Sequence, residues 1–243
     1  MCRHLAYRGP AIPLAALLVD APHGLVHQAE HPRSQTSGHD NPDGWGVAWY
    51  DGPPPPRRHR SATAVWDDPD VATVGARAAP LVLAAARLAS PGSPVEVSGN
   101  APFVADRYAW SLNGVANGWH DGVGDTLRAQ VSPARAAGIE GVTDSETLFA
   151  LALDRLDGGA SLGEALADVT ALVTGRTDGR FNFLLTDGDR VAATAWGNSL
   201  SARAADDAVT VASEPLDDDP RWARVPDRTL LVTDGPALTC TPL

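Results

Sequence analysis

The chain has 243 residues, of which 44% are hydrophobic and 20% are charged, a composition typical of a globular protein with a sizeable core. Its formal net charge is −11, because 30 acidic side chains outnumber 19 basic ones. A protein that tracks nucleic-acid phosphates or an anionic membrane needs clustered cations, so this charge argues against both kinds of partner. Two cysteines are too few for a disulfide-stapled secreted domain and suit the reducing cytoplasm. We therefore expect a cytoplasmic protein whose residues 2–243 form a single domain.

The first half of the chain is predicted to contain short elements separated by proline-rich segments. These elements are a strand over Cys2–Tyr7, a helix near Pro13–Asp20, strands over Trp45–Tyr50 and Ser61–Trp66, a helix over Val71–Ala79, and strands over Leu81–Arg87 and Tyr108–Leu112. Pro53–Pro56 and the basic run Arg57–Arg60 predict a stiff surface loop, because proline cannot donate a ladder hydrogen bond. Pro10 and Pro13 interrupt the apolar stretch that follows the first basic residues, which argues against an export signal there.

The second half of the chain is predicted to contain two helices followed by strands. Thr143 with Glu146, and Ser161 with Glu164, have the spacing of capping boxes, and apolar residues then recur on one helical face. Asp187-Gly188 lies between two apolar runs and indicates a hairpin turn. The predicted strands are Phe181–Leu185, Val191–Trp196, Leu200–Arg203, Val209–Ala212, Leu230–Thr233 and Leu238–Thr241. Strands, two helices and strands again predict α+β layers rather than a βαβ array.

Cys2 is the residue with the most informative chemistry. Cysteine is small, so we expect removal of Met1 by a methionine aminopeptidase, which would leave Cys2 with a free α-amine. The unperturbed pKa of such an amine is about 7.7–8.0, which suits it to accept the thiol proton directly or through a water. One residue would then supply both nucleophile and base. Met-Cys alone is weak evidence, because many proteins simply begin in this way.

Six motifs, the first of which contains Cys2, follow one another along the chain. They are Cys2-Arg3-His4-Leu5, Asn41-Pro42-Asp43-Gly44-Trp45-Gly46, Arg87-Leu88-Ala89-Ser90-Pro91-Gly92, Asn100-Ala101-Pro102-Phe103, Ser111-Leu112-Asn113-Gly114 and Thr143-Asp144-Ser145-Glu146. In this order and spacing the set resembles the class II glutamine amidotransferases, which have the N-terminal nucleophile hydrolase fold. The resemblance implies a four-layer αββα sandwich, an α+β fold in which helices cover two stacked, mainly antiparallel sheets.

The resemblance also implies roles for five residues. Cys2 would be the nucleophile, and the side-chain amide of Asn113 with the backbone N–H of Gly114 would hold the oxyanion. Arg87 would bind the α-carboxylate of a γ-glutamyl group, and Asp144 its α-ammonium. Each residue also has a structural interpretation: Asn-Gly is a common turn, an acidic residue favours the first turn of a helix, and Arg87 could form a surface ion pair. We assign positioning roles to Asp43, in a loop near the nucleophile, and to Arg3, as an ion-pair partner.

A narrower set of motifs resembles one branch of this family, the stand-alone amidases of ergothioneine biosynthesis. These motifs are Arg180-Phe181-Asn182-Phe183-Leu184, Ala193-Thr194-Ala195-Trp196-Gly197, residues 213–222, Val225-Pro226-Asp227 and Thr241-Pro242-Leu243. The branch implies hydrolysis of γ-glutamyl-hercynylcysteine sulfoxide, whose leaving group carries a trimethylammonium. Aromatic faces and carboxylates attract such a cation, so Trp45, Trp49, Trp119 and the acidic run Asp217–Asp219 are candidates for binding it. Trp is more often a core residue, and runs of Asp are more often solvated.

Two other functions remain open from the sequence: a glutaminase subunit that supplies ammonia to a separate synthetase, and a non-catalytic γ-glutamyl-binding module. Leu112 and Ala101 replace histidines that many class II members have, which weakens any transfer of glutamine specificity. His23, His27 and His31 recur every four residues, but Pro22, Gly24 and Pro32 argue against a helix that would align them as metal ligands. We expect no metal and no cofactor. Cys240 is predicted to be a buried strand residue.

Overall fold

Two antiparallel β-sheets form the centre of the protein in a computed structural model, which describes residues 2–36, 38–205 and 207–243. The strands in this part of the chain are β1 Arg3–Pro13, β2 Trp45–Tyr50, β3 Arg57–Ser61, β4 Ala78–Ala86, β5 Phe103–Ala105, β6 Tyr108–Ala116, β7 Gly179–Thr186, β8 Val191–Ala195, β9 Ser201–Ala205, β10 Ala208–Ala212, β11 Ala223–Arg224, β12 Thr229–Asp234 and β13 Ala237–Pro242. The first sheet has the order β11-β9-β10-β1-β4-β2-β3, and the second has the order β13-β12-β8-β7-β6-β5.

Helices cover the outer face of each sheet. The helices are α1 Ala15–Leu18, α2 Leu25–Glu30, α3 Asp70–Gly75, α4 Val123–Arg128, α5 Pro133–Ala136, α6 Asp144–Asp157 and α7 Leu162–Thr174. Helices α1 and α2 pack on the first sheet, and α6 and α7 pack on the second. A third apolar cluster, which includes Ala6, Leu83, Leu184 and Val211, fills the space between the two sheets. This order of layers confirms the predicted αββα sandwich, whereas the single-domain assignment for residues 2–243 stays a prediction.

The opening strand is correctly predicted but ends later than expected. Strand β1 pairs with β4 as far as Pro13, with a register shift between Arg8 and Ile12. Pro10 lies within this irregular interval, where a missing N–H donor is tolerated. The predicted helix near Pro13–Asp20 shrinks accordingly to α1. The helix predicted over Val71–Ala79 ends at Gly75, because Ala78 and Ala79 already pair with β1.

The prediction for the basic run after the prolines is wrong. Arg57–Arg60 were expected in a loop and Ser61–Trp66 in a strand, but the strand is β3, Arg57–Ser61, which pairs with β2. Strand β3 is the edge of its sheet, and charged side chains at an edge face water without disturbing the backbone ladder. The charged composition of Arg57–Arg60 led to the wrong prediction of a loop. Strand pairing uses backbone N–H and C=O groups, which an arginine supplies as well as a valine does.

The second half of the chain follows the predictions closely. Strands β7 and β8 form the hairpin around Asp187-Gly188, and β9, β10, β12 and β13 lie within one or two residues of their predicted bounds. Ser161 and Glu164 form the reciprocal capping box at α7. At α6 only half of the expected box is present: the Thr143 hydroxyl accepts the N–H of Glu146. The Glu146 carboxylate instead accepts the backbone N–H groups of Glu140 and Gly141, both at 2.7 Å.

One local expectation is confirmed and one is corrected by the structure. Gly24 is the N-cap of α2, Leu25–Glu30, so this short helix contains His27 but neither His23 nor His31, and no continuous helix aligns the three. Cys240 lies in a strand as predicted, but it is exposed rather than buried, because β13 is the outermost strand of the second sheet. No helix among the described residues combines the length and the apolar character needed to cross a bilayer.

Polar side chains interrupt the apolar contact between the sheets near the start of β1. His4 is fully buried, and its Nδ1 lies 2.9 Å from the Ser111 hydroxyl of β6. Burial, together with the neighbouring charge of Arg3, lowers the pKa of His4 to about 3. Since a protonated imidazole is costly to bury, His4 stays neutral in the folded protein at ordinary pH.

We expect His4 to reduce stability as the pH falls from neutrality. The unfolded chain binds a proton at His4 below about pH 6.5, whereas the folded chain binds it only near pH 3. Between these values the free energy of unfolding should fall by about 1.4 kcal/mol per pH unit because of this residue. Urea unfolding of the wild type and of His4→Gln at pH 5 and pH 7.5 measures the effect: the variant should lose less stability, and equal losses would contradict the assignment.

Candidate active site

A cavity of about 240 Å³ lies at the N-terminal end of β1. Four of the five predicted site residues are in its wall: Cys2, Arg87, Gly114 and Asp144. Loops and strand ends from both sheets complete it, and its other lining residues are Ala85, Ala86, Leu88, Ser90, Pro91, Ser93, Gly99, Ala101, Phe103, Leu112, Val115, Ala116, Asn117, Gly118, Trp119, His120, Asp121, Thr143 and Ser145. The fold thus brings together predicted site residues that are up to 142 positions apart in the chain, from Cys2 to Asp144.

The position of Cys2 is set by the residues that immediately follow it. Its side chain is half-buried, with Sγ 3.9 Å from the carbonyl oxygen of Leu88. The carbonyl oxygen of Cys2 accepts a hydrogen bond from Arg3 Nε at 2.8 Å, and the same guanidinium forms a buried ion pair with Glu214 at 2.6 Å. The ion-pair role expected for Arg3 is therefore present next to Cys2. The expected removal of Met1 concerns a residue outside the described part of the chain.

Arg87 directly follows β4, on the wall that carries Cys2. Arg3, the first residue of β1, pairs with Ala86, the last residue of β4. Cys2, just before β1, therefore lies beside Arg87, just after β4. The guanidinium is almost fully buried and donates to the carbonyl oxygen of Pro94 at 3.1 Å. It is therefore an inward-facing cation, and the surface ion-pair interpretation does not hold.

The Asp43 loop holds the backbone on either side of Arg87. The N–H of Asp43 donates to the Arg87 carbonyl, and the N–H of Arg87 donates to the Gly44 carbonyl, at 3.0 and 2.8 Å. The Asp43 carboxylate accepts the N–H of Ala89 at 2.8 Å. These contacts fit the positioning role predicted for Asp43.

Asp144 is the first residue of α6 and lines the part of the cavity that β6 borders. Its carboxylate accepts the N–H of Ala116 at 2.9 Å and the N–H of Ser145 at 2.8 Å. Burial raises the pKa of Asp144, while these hydrogen bonds and the charge of Arg87 act in the opposite direction. A guanidinium and a carboxylate that line the same cavity complement the two charges of an amino-acid zwitterion.

Asn113 and Gly114 lie inside β6, so their interpretation as a turn is wrong. They pair with Asn182 and Phe181 of β7. A Cβ at position 114 would overlap the carbonyl oxygen of Arg180, and glycine therefore permits the close approach of these strands. The predicted strand ended at Leu112 because Asn and Gly are rare in strands, although here both are part of the ladder.

The backbone N–H of Gly114 points to the edge of β6 that borders the cavity. The paired Phe181 donates its own N–H to Trp196, on the side of β8, so Gly114 and Phe181 form a non-hydrogen-bonded pair. The N–H of Gly114 is therefore directed away from β7. Ala116 lies two residues further along the same edge, and its N–H donates to the carboxylate of Asp144. About 7 Å separate two such positions in a strand, comparable with the extended γ-glutamyl chain from its carbonyl oxygen to its ammonium nitrogen.

Asn113 differs from the other four predicted residues because it is not part of the cavity wall. Its side chain is fully buried between the sheets, where Nδ2 donates to the Ser213 hydroxyl at 3.3 Å. Asn198 donates to the Asn113 carbonyl oxygen at 2.9 Å and lies 3.4 Å from its Oδ1. These contacts fix the orientation of the amide directly beside Gly114.

Of the candidates for binding a trimethylammonium group, only Trp119 lies at the cavity. Trp45 and Trp49 are buried in the core on the helix-covered face of the first sheet. Asp217 binds Arg203 and the indole N–H of Trp222, so the acidic run has partners away from the cavity. The core interpretation of Trp45 and Trp49 is therefore correct.

Sequence reasoning missed two cavity residues, His120 and Asp121. They follow Trp119 in a single 3₁₀ turn between Gly118 and Gly122, both of which have positive φ. The two flanking glycines were the available signal, because this spacing permits a tight, protruding turn. The turn brings an indole, an imidazole and a carboxylate to the mouth of the cavity.

The three histidines spaced four residues apart do lie side by side. The ring centroids of His23 and His27 are 5.0 Å apart, and those of His27 and His31 are 5.7 Å apart. Even so, the described residues contain no group of three or more His, Cys, Asp or Glu side chains arranged to hold a metal ion.

Comparisons with known proteins agree with the geometry. A family model described as "Glutamine amidotransferases class-II" matches residues 19–205. Proteins named gamma-glutamyl-hercynylcysteine sulfoxide hydrolase from Mycobacterium tuberculosis (strain CDC 1551 / Oshkosh) and Mycolicibacterium smegmatis are each 38% identical to this chain over 244 residues. Those alignments cover all of this chain and 97% and 100% of the relatives. A solved structure of a glutamine aminotransferase class-II domain protein from Silicibacter pomeroyi matches with a TM-score of 0.72 at 23% identity, covering 99% of both chains.

Proposed function

Because the chain belongs to the class II glutamine amidotransferases, we propose that it hydrolyses the γ-glutamyl amide of γ-glutamyl-hercynylcysteine sulfoxide. The products are glutamate and hercynylcysteine sulfoxide, and the reaction is a step of ergothioneine biosynthesis. The observation that carries the proposal is the 38% identity, over the whole chain, to two hydrolases named for this substrate. A thiol, a cation and an anion that line one cavity support the proposal, because a γ-glutamyl amide offers a carbonyl, a carboxylate and an ammonium to such groups.

The reaction begins at Cys2 after removal of Met1. The free α-amine takes the thiol proton, and the thiolate attacks the γ-carbonyl carbon to form a C–S bond and an oxyanion. Collapse of this intermediate breaks the C–N bond, and the leaving amine takes the proton back from the α-ammonium. Water, deprotonated by the same α-amine, then hydrolyses the γ-glutamyl thioester and releases glutamate. The proposed steps require only the small-molecule substrate, water, and the thiol and α-amine of Cys2.

We assign the oxyanion donors to the backbone N–H of Gly114 and the side-chain amide of Asn113. The direction of the Gly114 N–H, toward the cavity-side edge of β6, supports the first assignment. An amide nitrogen carries two hydrogens, and Asn113 gives one of them to Ser213. The second hydrogen is the donor that we assign to the oxyanion. Fixed donors of this kind stabilise the charge that develops during attack.

Arg87 and Asp144 bind the distal end of the γ-glutamyl group in this proposal. The Arg87 guanidinium takes the α-carboxylate, and the Asp144 carboxylate takes the α-ammonium. The hydrogen bond from Ala116 to Asp144 supports this placement, because it holds the carboxylate on the edge that also carries Gly114. Arg87 is almost fully buried and Asp144 is half-buried, which favours a ligand that neutralises the two charges together.

The turn Trp119–Asp121 is proposed to receive the leaving group, at the cavity mouth. An indole face and a carboxylate both attract a quaternary ammonium, which has no N–H to donate. Trp119 is held in place by a hydrogen bond from its indole N–H to the carbonyl oxygen of Val142, at 2.9 Å. We further propose that the protein acts in the cytoplasm, where its thiols at Cys2 and Cys240 stay reduced.

We expect the wild type to hydrolyse γ-glutamyl-hercynylcysteine sulfoxide with a higher kcat/KM than glutamine, because glutamine lacks the leaving group that the cavity mouth would bind. Glutamate release from both substrates measures this. Cys2→Ala should abolish release, whereas Cys240→Ala, which removes the exposed thiol of β13, should retain it.

Faster turnover of glutamine would replace this function by that of a glutaminase supplying ammonia. Binding of either substrate without any hydrolysis by the wild type would support a non-catalytic module. Undiminished hydrolysis by Cys2→Ala would exclude Cys2 as the nucleophile.

Trp119→Leu should separate recognition of the two substrates. Loss of a cation–π contact worth about 1–2 kcal/mol predicts a roughly 5- to 30-fold increase in KM for γ-glutamyl-hercynylcysteine sulfoxide. The KM for glutamine should not change. Trp222→Leu is the control, since Trp222 is half-buried and lies outside the cavity wall. Equal effects of Trp119→Leu on both substrates would contradict the placement of the leaving group.

A further inference from the structure

Ser213 joins the strand that carries Cys2 to the side chain of Asn113. It is fully buried and directly follows β10, which pairs with β1. Its Oγ accepts the N–H of His4 at 3.0 Å and donates to the His4 carbonyl at 3.2 Å. The same oxygen accepts the Asn113 Nδ2 donor at 3.3 Å. The hydroxyl therefore contacts both sheets at once.

These contacts use the full hydrogen-bonding capacity of the hydroxyl. A serine hydroxyl has one hydrogen to donate and two lone pairs to accept with. Here the hydrogen goes to His4, and the lone pairs serve the N–H of His4 and the amide of Asn113. Because the Ser213 hydroxyl has no further hydrogen bond to offer, it links the direction of the Asn113 amide to the backbone of His4, two residues after Cys2.

The rest of Ser213 is fixed as well. Its N–H donates to the His4 carbonyl at 2.9 Å, and its carbonyl accepts the Ser199 hydroxyl at 2.8 Å. Asn198 contacts the other end of the Asn113 amide, at Oδ1. The amide is thereby held at its nitrogen by Ser213 and at its oxygen by Asn198, which leaves its plane little freedom to rotate.

We propose that Ser213 is a positioning residue for hydrolysis: its hydroxyl sets the distance and direction between the Cys2 strand and the oxyanion donor of Asn113. The inference rests on the proposed function. Ser213 touches neither the substrate nor the cavity, since it is absent from the cavity wall. Its effect on the reaction passes through Asn113, while Arg87 and Asp144, which bind the ground state, are unaffected.

This role predicts that Ser213→Ala lowers kcat and leaves KM unchanged. Misplacing a catalytic group by about 1 Å can cost as much as 100-fold in rate, so we expect a loss of roughly 10- to 100-fold in kcat. Ser111→Ala is the matched control, because Ser111 is equally buried and also bonds to His4, whereas the side-chain amide of Asn113 donates to Ser213 and not to Ser111. It should retain the wild-type kcat at a comparable melting temperature.

A double-mutant cycle with Asn113→Ala distinguishes positioning from a merely structural role. If Ser213 acts through Asn113, Ser213→Ala should cause no further loss of kcat in the Asn113→Ala background. Multiplicative losses would overturn the inference. Ser213→Cys serves if the alanine variant does not fold, because the thiol fills the site but bonds weakly; a wild-type kcat in this variant would also overturn it. A wild type inactive on all γ-glutamyl amides would instead refute the proposed function, and the inference with it.

Discussion

The pairing register of β1 with β4 is the constraint on which the candidate site depends. Arg3 lies opposite Ala86, so Cys2 and Arg87 emerge together from the same end of two neighbouring strands. The β2–β4 pairing adds the Asp43 loop to the same end, since Trp45 also lies opposite Ala86. A slip of one residue would move every side chain of β1 to the other face of the sheet. Both faces of β1 are buried, against helices on one side and the second sheet on the other, so the register is strongly specified.

Buried polar contacts hold the beginning of β1 where hydrophobic packing alone could not. Arg3 and Glu214 are both inaccessible to solvent, and the Glu214 carboxylate also accepts the backbone N–H groups of Arg33 and Ser34. Burial lowers the pKa of Arg3, and the Glu214 charge counteracts that effect. Removing one partner of such a pair typically costs about 3–5 kcal/mol, because the other charge remains buried. The pair thus restricts the backbone of Cys2 to one position, a specificity that interchangeable apolar side chains do not provide.

Much of the architecture could be predicted from local patterns, because alternation, capping residues and hairpin turns act over short stretches of chain. The α+β character, the capping box at Ser161 and the hairpin at Asp187-Gly188 are examples. The αββα sandwich with its two stacked sheets was instead expected from the resemblance to a known family. Errors occurred where tertiary contacts override local preference. Arg57–Arg60 form an edge strand despite their charges, and the strand predicted to end at Leu112 continues through Asn113-Gly114. In both cases a partner strand supplies the pairing: β2, the preceding strand, pairs with Arg57–Arg60, and β7, far along the chain, pairs with Asn113-Gly114.

The candidate residues were found through their motifs, whereas their spatial relation required the structure. Nothing in the sequence indicates that the Gly114 N–H and the Asp144 carboxylate share one edge of β6, or that the Asn113 amide donates to the hydroxyl of Ser213. The position of His120 and Asp121 at the cavity was likewise missed, because their neighbours there come from other loops.

The central claim is that the thiol of Cys2, freed at the mature N-terminus, carries the γ-glutamyl group. Acid quenching during turnover, followed by mass spectrometry of the N-terminal peptide, tests this directly. The account predicts a peptide that begins at Cys2 and is heavier by one γ-glutamyl group in a thioester that hydroxylamine removes. An adduct on any other residue, or full activity in protein that retains Met1, would contradict it.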